Sequence, residues 1–248
     1  MMHRFFTENS IDDNDKLEIN GGDVKHIRDV LRILPGEHIE IVTGNKAYVC
    51  NIMEISKSAI ITEILNPIEK SHESPVKINL FQGLPKSSKM ETILQKCTEI
   101  GVASFYPLVT NRTVVKLKDD KKENRKIERW EAIVHEASKQ SKRDRIPVVN
   151  PVIDFRELVV YLKEGITIVP YEASTDKGIK DVLKSLKISD TVNIIIGPEG
   201  GFEEEEIKKL VGLGAKIVSL GPRILRTETA GMVASSIVQY EYGDLGVI

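Results

Sequence analysis

The residues best suited to chemistry lie in two short stretches near the carboxyl end of the chain. The first, Ile194-Ile195-Ile196-Gly197-Pro198-Glu199-Gly200-Gly201-Phe202, carries an apolar run into a glycine-rich turn and then into an acidic helix start. In open α/β sheets, ligands bind beyond the carboxyl ends of strands, and glycine lets the backbone approach a ligand closely. The turn does not read as a phosphate loop. Glu199 lies inside it, and Glu203, Glu204, Glu205 and Glu206 fill the first helical turn. Those carboxylates occupy the positive end of the helix dipole and repel a phosphate. No Gly-Lys-Ser or Gly-Lys-Thr accompanies the turn. A neutral or partly cationic ligand is expected. The four glutamates read as complementing the dipole on a solvated turn, not as metal ligands.

The second stretch is Ser219-Leu220-Gly221-Pro222-Arg223-Ile224-Leu225-Arg226-Thr227-Glu228-Thr229-Ala230. A strand again leads through a Gly-Pro turn into a helix. Thr227 is placed to cap that helix, with Glu228 in its first turn. Capping does not account for Arg226, whose cation stands at the positive end of a helix and needs another reason to be there. Two glycine turns after successive strands can form one pocket.

These turns need strands and helices to aim them. From residue 76 onward the pattern alternates strand and helix, which predicts a largely parallel α/β sheet. Strands are expected at Lys77 to Gln82, Ala103 to Val109, Thr167 to Pro170, Val192 to Ile196 and Lys216 to Leu220. Ser88-Lys89-Met90-Glu91 has the form of a capping box. It opens a helix with Met90, Ile93, Leu94, Cys97 and Ile100 on one face, closed by Gly101. A further helix carries Ile127, Trp130, Ile133, Val134 and Ala137, and Trp130 is expected in the core. Helices at 155–162, Glu203 to Leu210 and Glu228 to Tyr240 follow. The first 65 or so residues read differently. One helix with Val24, Ile27, Leu31 and Leu34 inward, capped by Asp23 and ended by Pro35-Gly36, precedes period-two strands at His38 to Thr43, Ala47 to Glu54 and Ala59 to Leu65, the pattern of a small barrel. The polar, proline-flanked residues 66–75 divide the chain into domains at 1–70 and 76–248.

Bulk properties bound the class. The 248 residues are 41% apolar and 29% charged, as in ordinary soluble globular proteins. No apolar run approaches the length of a membrane helix, and the residues after Phe6 are polar, so neither a membrane nor a secretory leader is expected. Two widely spaced cysteines, Cys50 and Cys97, indicate a reducing, cytoplasmic setting without disulfides or structural zinc. His26 and His135 have no partners at ligand spacing, so no metal is expected. The formal net charge is −2, so a polyanion partner would need a local patch. Residues 111–149 supply one, with twelve basic against seven acidic side chains, whereas residues 1–72 hold eight against twelve.

The paired motifs, Ile196-Gly197-Pro198-Glu199-Gly200-Gly201-Phe202 and Leu220-Gly221-x-Arg223-Ile224-Leu225-Arg226-x-Glu228-Thr229-Ala230, resemble the signature of the ribosomal RNA small subunit methyltransferase E family of the SPOUT superfamily. Met2-His3-Arg4-Phe5-Phe6, His26-Ile27-x-x-Val30-Leu31-Arg32, Lys96-x-Thr98-Glu99-Ile100-Gly101-Val102, Glu136-Ala137, Gln140-Ser141 and Arg143 extend the likeness over nearly the whole chain, with departures at Lys139 and Lys142. The resemblance implies an N-terminal PUA-like RNA-binding β-barrel and a C-terminal α/β domain with a deep trefoil knot. It implies S-adenosylmethionine as methyl donor, bent among the loop after Val169-Pro170, the Gly197 to Gly201 turn and Leu220 to Thr229. It further implies a homodimer that methylates N3 of one uridine, position 1498 in the usual numbering, of 16S ribosomal RNA in the small subunit.

Roles can then be assigned. The donor is expected against Gly197, Glu199, Gly200, Gly201, Leu220, Gly221, Ile224, Leu225 and Thr229, with Ile224 and Leu225 flanking the adenine. Arg226 is expected to stabilise charge on the uracil oxygens as the N3 proton leaves, with Glu228 a weaker candidate to accept that proton. RNA contacts are expected from His3 and Arg4, from Lys25, Arg28 and Arg32, from Arg112, Lys116 and Lys118, and from Lys139, Lys142, Arg143 and Arg145. A nucleotide hydrolase is disfavoured by the missing phosphate-binding lysine. A non-catalytic RNA-binding or ribosome assembly factor is the remaining alternative, and binding of S-adenosylmethionine with turnover separates the two.

Overall fold

A computed structural model describes residues 2–115, 120–172, 177–185 and 190–247. Lys116 and Lys118 lie outside them. The chain packs as two compact units, residues 1–73 with 138–145, and residues 74–137 with 146–248. A linear division near residue 70 has no place for the segment 138–145, which packs into the first unit.

The first unit is a curled five-stranded sheet. Its strands β1 (Arg4–Phe6), β2 (Lys16–Asn20), β3 (His38–Thr43), β4 (Lys46–Ile55) and β5 (Ala59–Ile68) run in the order β1-β3-β4-β5-β2. Only β1 and β3 pair in parallel. Two register shifts between β4 and β5 let these ten-residue strands bend. The inner face buries Phe5, Leu17, Ile19, Ile39, Ile41, Cys50, Ile52 and Ile60, closed over by Val24 and Ile27. Those last two come from α1 (Gly22–Lys25) and the π-helical turn His26–Leu31 that continues it. The helix therefore ends earlier than its periodicity suggests. Gly21, not Asp23, takes the N-cap position, Arg32 closes the end in a left-handed conformation, and Leu34 is exposed.

Arg4 on β1 is buried, which corrects its assignment to RNA. Its guanidinium donates to Glu40 at 2.8 Å, to Asp144 at 2.7 Å and to the carbonyl oxygens of Lys142 and Arg143. Arg143 is likewise buried and pairs with Glu73 at 2.6 Å, while Lys142 reaches Glu40 at 2.8 Å and Lys139 reaches Asp23 at 2.8 Å. The basic cluster at 139–145 is thus largely spent inside the first unit, because carboxylates distant in sequence meet it. Burial works against ionisation of Glu40, yet the bonds from Lys142 and Arg4 outweigh it and hold that carboxyl below its ordinary range.

The second unit holds a sheet of β6 (Lys77–Gly83), β7 (Val102–Val109), β8 (Val148–Val149), β9 (Ile153–Asp154), β10 (Ile166–Pro170), β11 (Thr191–Ile196) and β12 (Lys216–Val218). The order is β12-β10-β11-β6-β7-β8, with β9 beside β7 and every pairing parallel. Both faces are covered, as the apolar strands require. Helices α2 (Lys89–Ile100), α3 (Asp120–Gln140), α5 (Ile179–Ser185) and α7 (Thr227–Tyr242) close one core around Leu80, Leu94, Trp130, Ile194 and Val238. Helices α4 (Leu158–Tyr161) and α6 (Glu204–Gly212) close the other around Phe81, Ile195, Phe202 and Leu210. Trp130 is buried as expected. The capping box at Ser88 does not form. Ser88 makes no side-chain cap bond, and Glu91 pairs instead with Arg129 at 2.8 Å. Among the described residues no helix is long and apolar enough to cross a membrane.

Burial pushes the Cys50 thiol up to about 11 and the Cys97 thiol up to about 12. One cysteine reports on each unit. Both should resist a thiol reagent at pH 8 in the native protein, since the reactive species is the thiolate. Removing one member of a buried ion pair costs about 3–5 kcal/mol. Arg4→Met should therefore accelerate labelling of Cys50 in mild urea far more than that of Cys97. Equal acceleration at both would refute the local role of Arg4.

Candidate active site

Because β12, β10 and β11 lie side by side and parallel, their carboxyl ends open on one edge of the sheet. The loops leaving them meet there and enclose a cavity of about 420 Å³, within the range of small-molecule sites. Pro170, Tyr171 and Glu172 come from the loop after β10, and Gly197, Pro198, Glu199, Gly201 and Phe202 from the turn after β11. Residues 219–227 after β12, together with Ala230 on α7, form the third wall, and Lys89 at the start of α2 contributes a fourth element. The three loops anticipated from the sequence are the three that converge.

Thr227 ties two of them together. It is the first residue of α7, not its cap; Arg226 holds the N-cap position with extended backbone. The Thr227 hydroxyl donates to the Gly197 carbonyl at 2.6 Å and accepts from Gln82 Nε2 at 2.9 Å. Gln82, at the end of β6 and fully buried, also donates to the Gly83 carbonyl at 3.1 Å. The next residue along β6 is glycine for a steric reason. A Cβ on Gly83 would stand 2.5 Å from the Pro198 nitrogen and 2.8 Å from the Gly197 carbonyl carbon. Neither Gln82 nor Gly83 carries a sequence signal beyond its strand position.

The acidic helix start is less solvated than its composition suggests. Glu203 and Glu206 form a reciprocal cap on α6, and Glu206 is buried. Asn111 donates its backbone amide to Glu206 at 3.0 Å and its side-chain amide to Glu203 at 2.8 Å. Its neighbour Arg112 is exposed and donates to the Gly200 carbonyl at 3.0 Å. Gly200 therefore faces Arg112 and not the cavity, and Thr229 is also absent from the walls. These two positions, expected to touch a ligand, are not among the residues that line the cavity.

The charged groups divide into paired and unpaired. Glu199 accepts from the Lys86 amide at 3.1 Å and meets Lys89 Nζ at 3.1 Å. The same ammonium lies 3.3 Å from Glu228. Burial opposes ionisation of Glu199, but bonds from its own amide, Lys89 and the Lys86 amide prevail and hold its carboxyl below the ordinary range. Hydrogen bonding to Glu199 in turn raises Lys89 above the usual lysine range. Arg226, by contrast, is exposed on the cavity wall and has no hydrogen-bond or ion-pair partner for its guanidinium among the described residues. Leu225 is half-buried and Ile224 is 82% exposed at the rim. In the first unit, Lys25 and Arg32 are exposed, whereas Arg28 pairs with Asp29 at 2.7 Å.

Comparison with known proteins decides the family. Residues 72–239 match the model of an RNA methyltransferase domain, and residues 19–65 that of an RNA methyltransferase PUA domain. The ribosomal RNA small subunit methyltransferase E of Bacillus subtilis is 36% identical over 97% of both chains, and that of Aquifex aeolicus 33% identical over 96% of this chain and 99% of its own. The chain belongs to the ribosomal RNA small subunit methyltransferase E family. The family's enzyme from Neisseria gonorrhoeae, solved bound to S-adenosyl methionine, superposes with a TM-score of 0.87 at 30% identity, over 98% of this chain and 99% of that one.

The glycine contact yields a direct check on the turn. Overpacking of this kind costs about 1–3 kcal/mol. Gly83→Ala should lose stability in that range and shift the amide resonances of residues 197–201, leaving those of the first unit in place. Unmoved resonances in the turn would show that Gly83 does not set its position.

Proposed function

We propose that this chain transfers a methyl group from S-adenosylmethionine to N3 of one uridine in the 16S ribosomal RNA of the small subunit. The observation that carries this reading is an unpaired guanidinium, Arg226, on a cavity wall where two glycine turns meet. The cavity suits such a donor. Glu172 and Glu199 line it, and the start of α6 beside it is already filled with carboxylates, so a phosphate-free and positively charged ligand is favoured over a nucleotide.

When bound, the donor supplies a methyl group on a sulfonium, open to in-line displacement. The protein's own work is positioning and charge stabilisation. Backbone groups around Gly197, Gly201, Leu220 and Gly221, together with the apolar side chains of Ile224 and Leu225, would hold the donor. Uracil N3 is a poor nucleophile until its proton leaves, and that loss puts negative charge on the ring oxygens. Arg226 stands free to bind those oxygens and so favours the anion. N3 lies on the pairing edge of the base, so the uridine must be unpaired when it enters.

The wider reading assigns RNA contact to Lys25, Arg32 and Arg145, which are exposed, and to the remaining donors of Arg112 and Arg28. It carries with it the homodimer, the C-terminal knot and the cytoplasmic setting that the family implies. Each phosphate neutralised steepens the salt dependence of binding by about 0.7–0.9, so Lys25→Ala and Arg32→Ala should each flatten it by about that amount.

The deciding experiment is transfer of labelled methyl to purified small subunits and to naked 16S RNA, followed by nucleoside analysis. The expected product is 3-methyluridine. Loss of one charge-stabilising donor lowers turnover by about 10²–10³, so Arg226→Ala should fall by that factor with saturating RNA. A different methylated nucleoside, or full turnover in Arg226→Ala, would remove the basis for this mechanism.

A further inference from the structure

Lys89 belongs to neither glycine motif, yet it touches both. It stands at the first position of α2 and lines the cavity, with its ammonium 3.1 Å from Glu199 in the turn after β11 and 3.3 Å from Glu228 in the first turn of α7. Two carboxylate oxygens that close to one nitrogen can be no more than about 6.4 Å apart. Without a cation between them they would repel. One oxygen of Glu228 is enclosed and has no hydrogen-bond donor, so the charge of Lys89 beside it is its compensation. Glu199 is held further by the Lys86 amide, one residue before Ser87, which adopts a left-handed backbone conformation. The segment between β6 and α2 thus reaches the turn after β11 through Lys86, and α2 itself reaches α7 through Lys89.

We propose that Lys89 is a positioning residue for methyl transfer, acting through Glu199 and Glu228 to hold the two glycine-turn walls of the cavity at one separation. This rests on the donor-binding reading above, and it concerns a residue outside the signature stretches. A neutral hydroxyl tie, from Thr227 to Gly197, sits deep between the same walls. Lys89 supplies the second tie at the cavity surface, where a bound donor and the entering base would otherwise push the walls apart. Misplacement of reacting groups by about 1 Å costs on the order of 10²-fold in rate, so the effect belongs in kcat more than in RNA affinity.

The test uses Lys89→Met, Lys89→Arg, Glu228→Gln and the double variant Lys89→Met with Glu228→Gln, each checked for a native melting profile. Expected for Lys89→Met are a kcat lower by about 10–10²-fold at saturating RNA and donor, an unchanged KM for RNA, and a calorimetric Kd for S-adenosylmethionine raised by about 3–10-fold. Lys89→Arg should recover most of both losses, since it keeps the charge. The double variant should be no worse than the poorer single one, because the two residues act as a unit. Wild-type kcat and donor affinity in a folded Lys89→Met protein would overturn the proposal, as would additive losses or failure of arginine to rescue. A wild-type protein that binds no S-adenosylmethionine would instead defeat the functional reading itself, a result distinct from any of these.

Discussion

The cavity exists because three parallel strands lie edge to edge and one hydroxyl joins the loops that leave two of them. Strands β12, β10 and β11 present their carboxyl ends together, so loops far apart in sequence are forced into one neighbourhood. The Thr227 hydroxyl, giving its proton to Gly197 and taking one from Gln82, then fixes how close the second and third loops come. Gln82 and Thr227 are buried and Gly197 is half-buried, so losing the bond between the two buried side chains would cost about 1–3 kcal/mol. Helix α7 starts at this junction, and its direction is set there.

Charge in this protein is sorted by depth. Arginine and lysine side chains that meet carboxylates inside the first unit hold the chain in place, as Arg4 and Arg143 do. The cations at the cavity are of two kinds. Lys89 is balanced twice over by carboxylates, whereas Arg223 and Arg226 are left to face whatever enters. The carboxylates at the start of α6 follow the same logic. Glu203 and Glu206 are engaged by Asn111 and by each other, so the turn before them is held rigid from outside the cavity.

Much of the second unit could be read from periodicity. The apolar spacing of Met90, Ile93, Leu94 and Cys97 places α2 correctly, and the uninterrupted run at Ile194 to Ile196 identifies a strand buried on both faces. The glycine turns declared the cavity. What escaped was everything settled by partners distant in the chain. Ser88 and Glu91 have the local form of a cap, but Arg129 competes for the glutamate. Arg4 and Arg143 look like surface cations until Glu40, Glu73 and Asp144 are brought beside them. Strands β1 and β2 and helix α5 are too short to show a period, and Lys89 was hidden inside an apparent helix start.

The return of residues 138–145 to the first unit has a consequence for how the molecule can be divided. A fragment ending at residue 73 would hold Arg4 with Glu40 but without Asp144, and Glu73 without Arg143. Its β-sheet would be complete while its polar interior was not. The partners that complete the polar interior of the amino-terminal unit are therefore supplied only after nearly twice its own length has been synthesised. Cutting the gene at the apparent linker would sever a module whose last piece is encoded some sixty codons downstream.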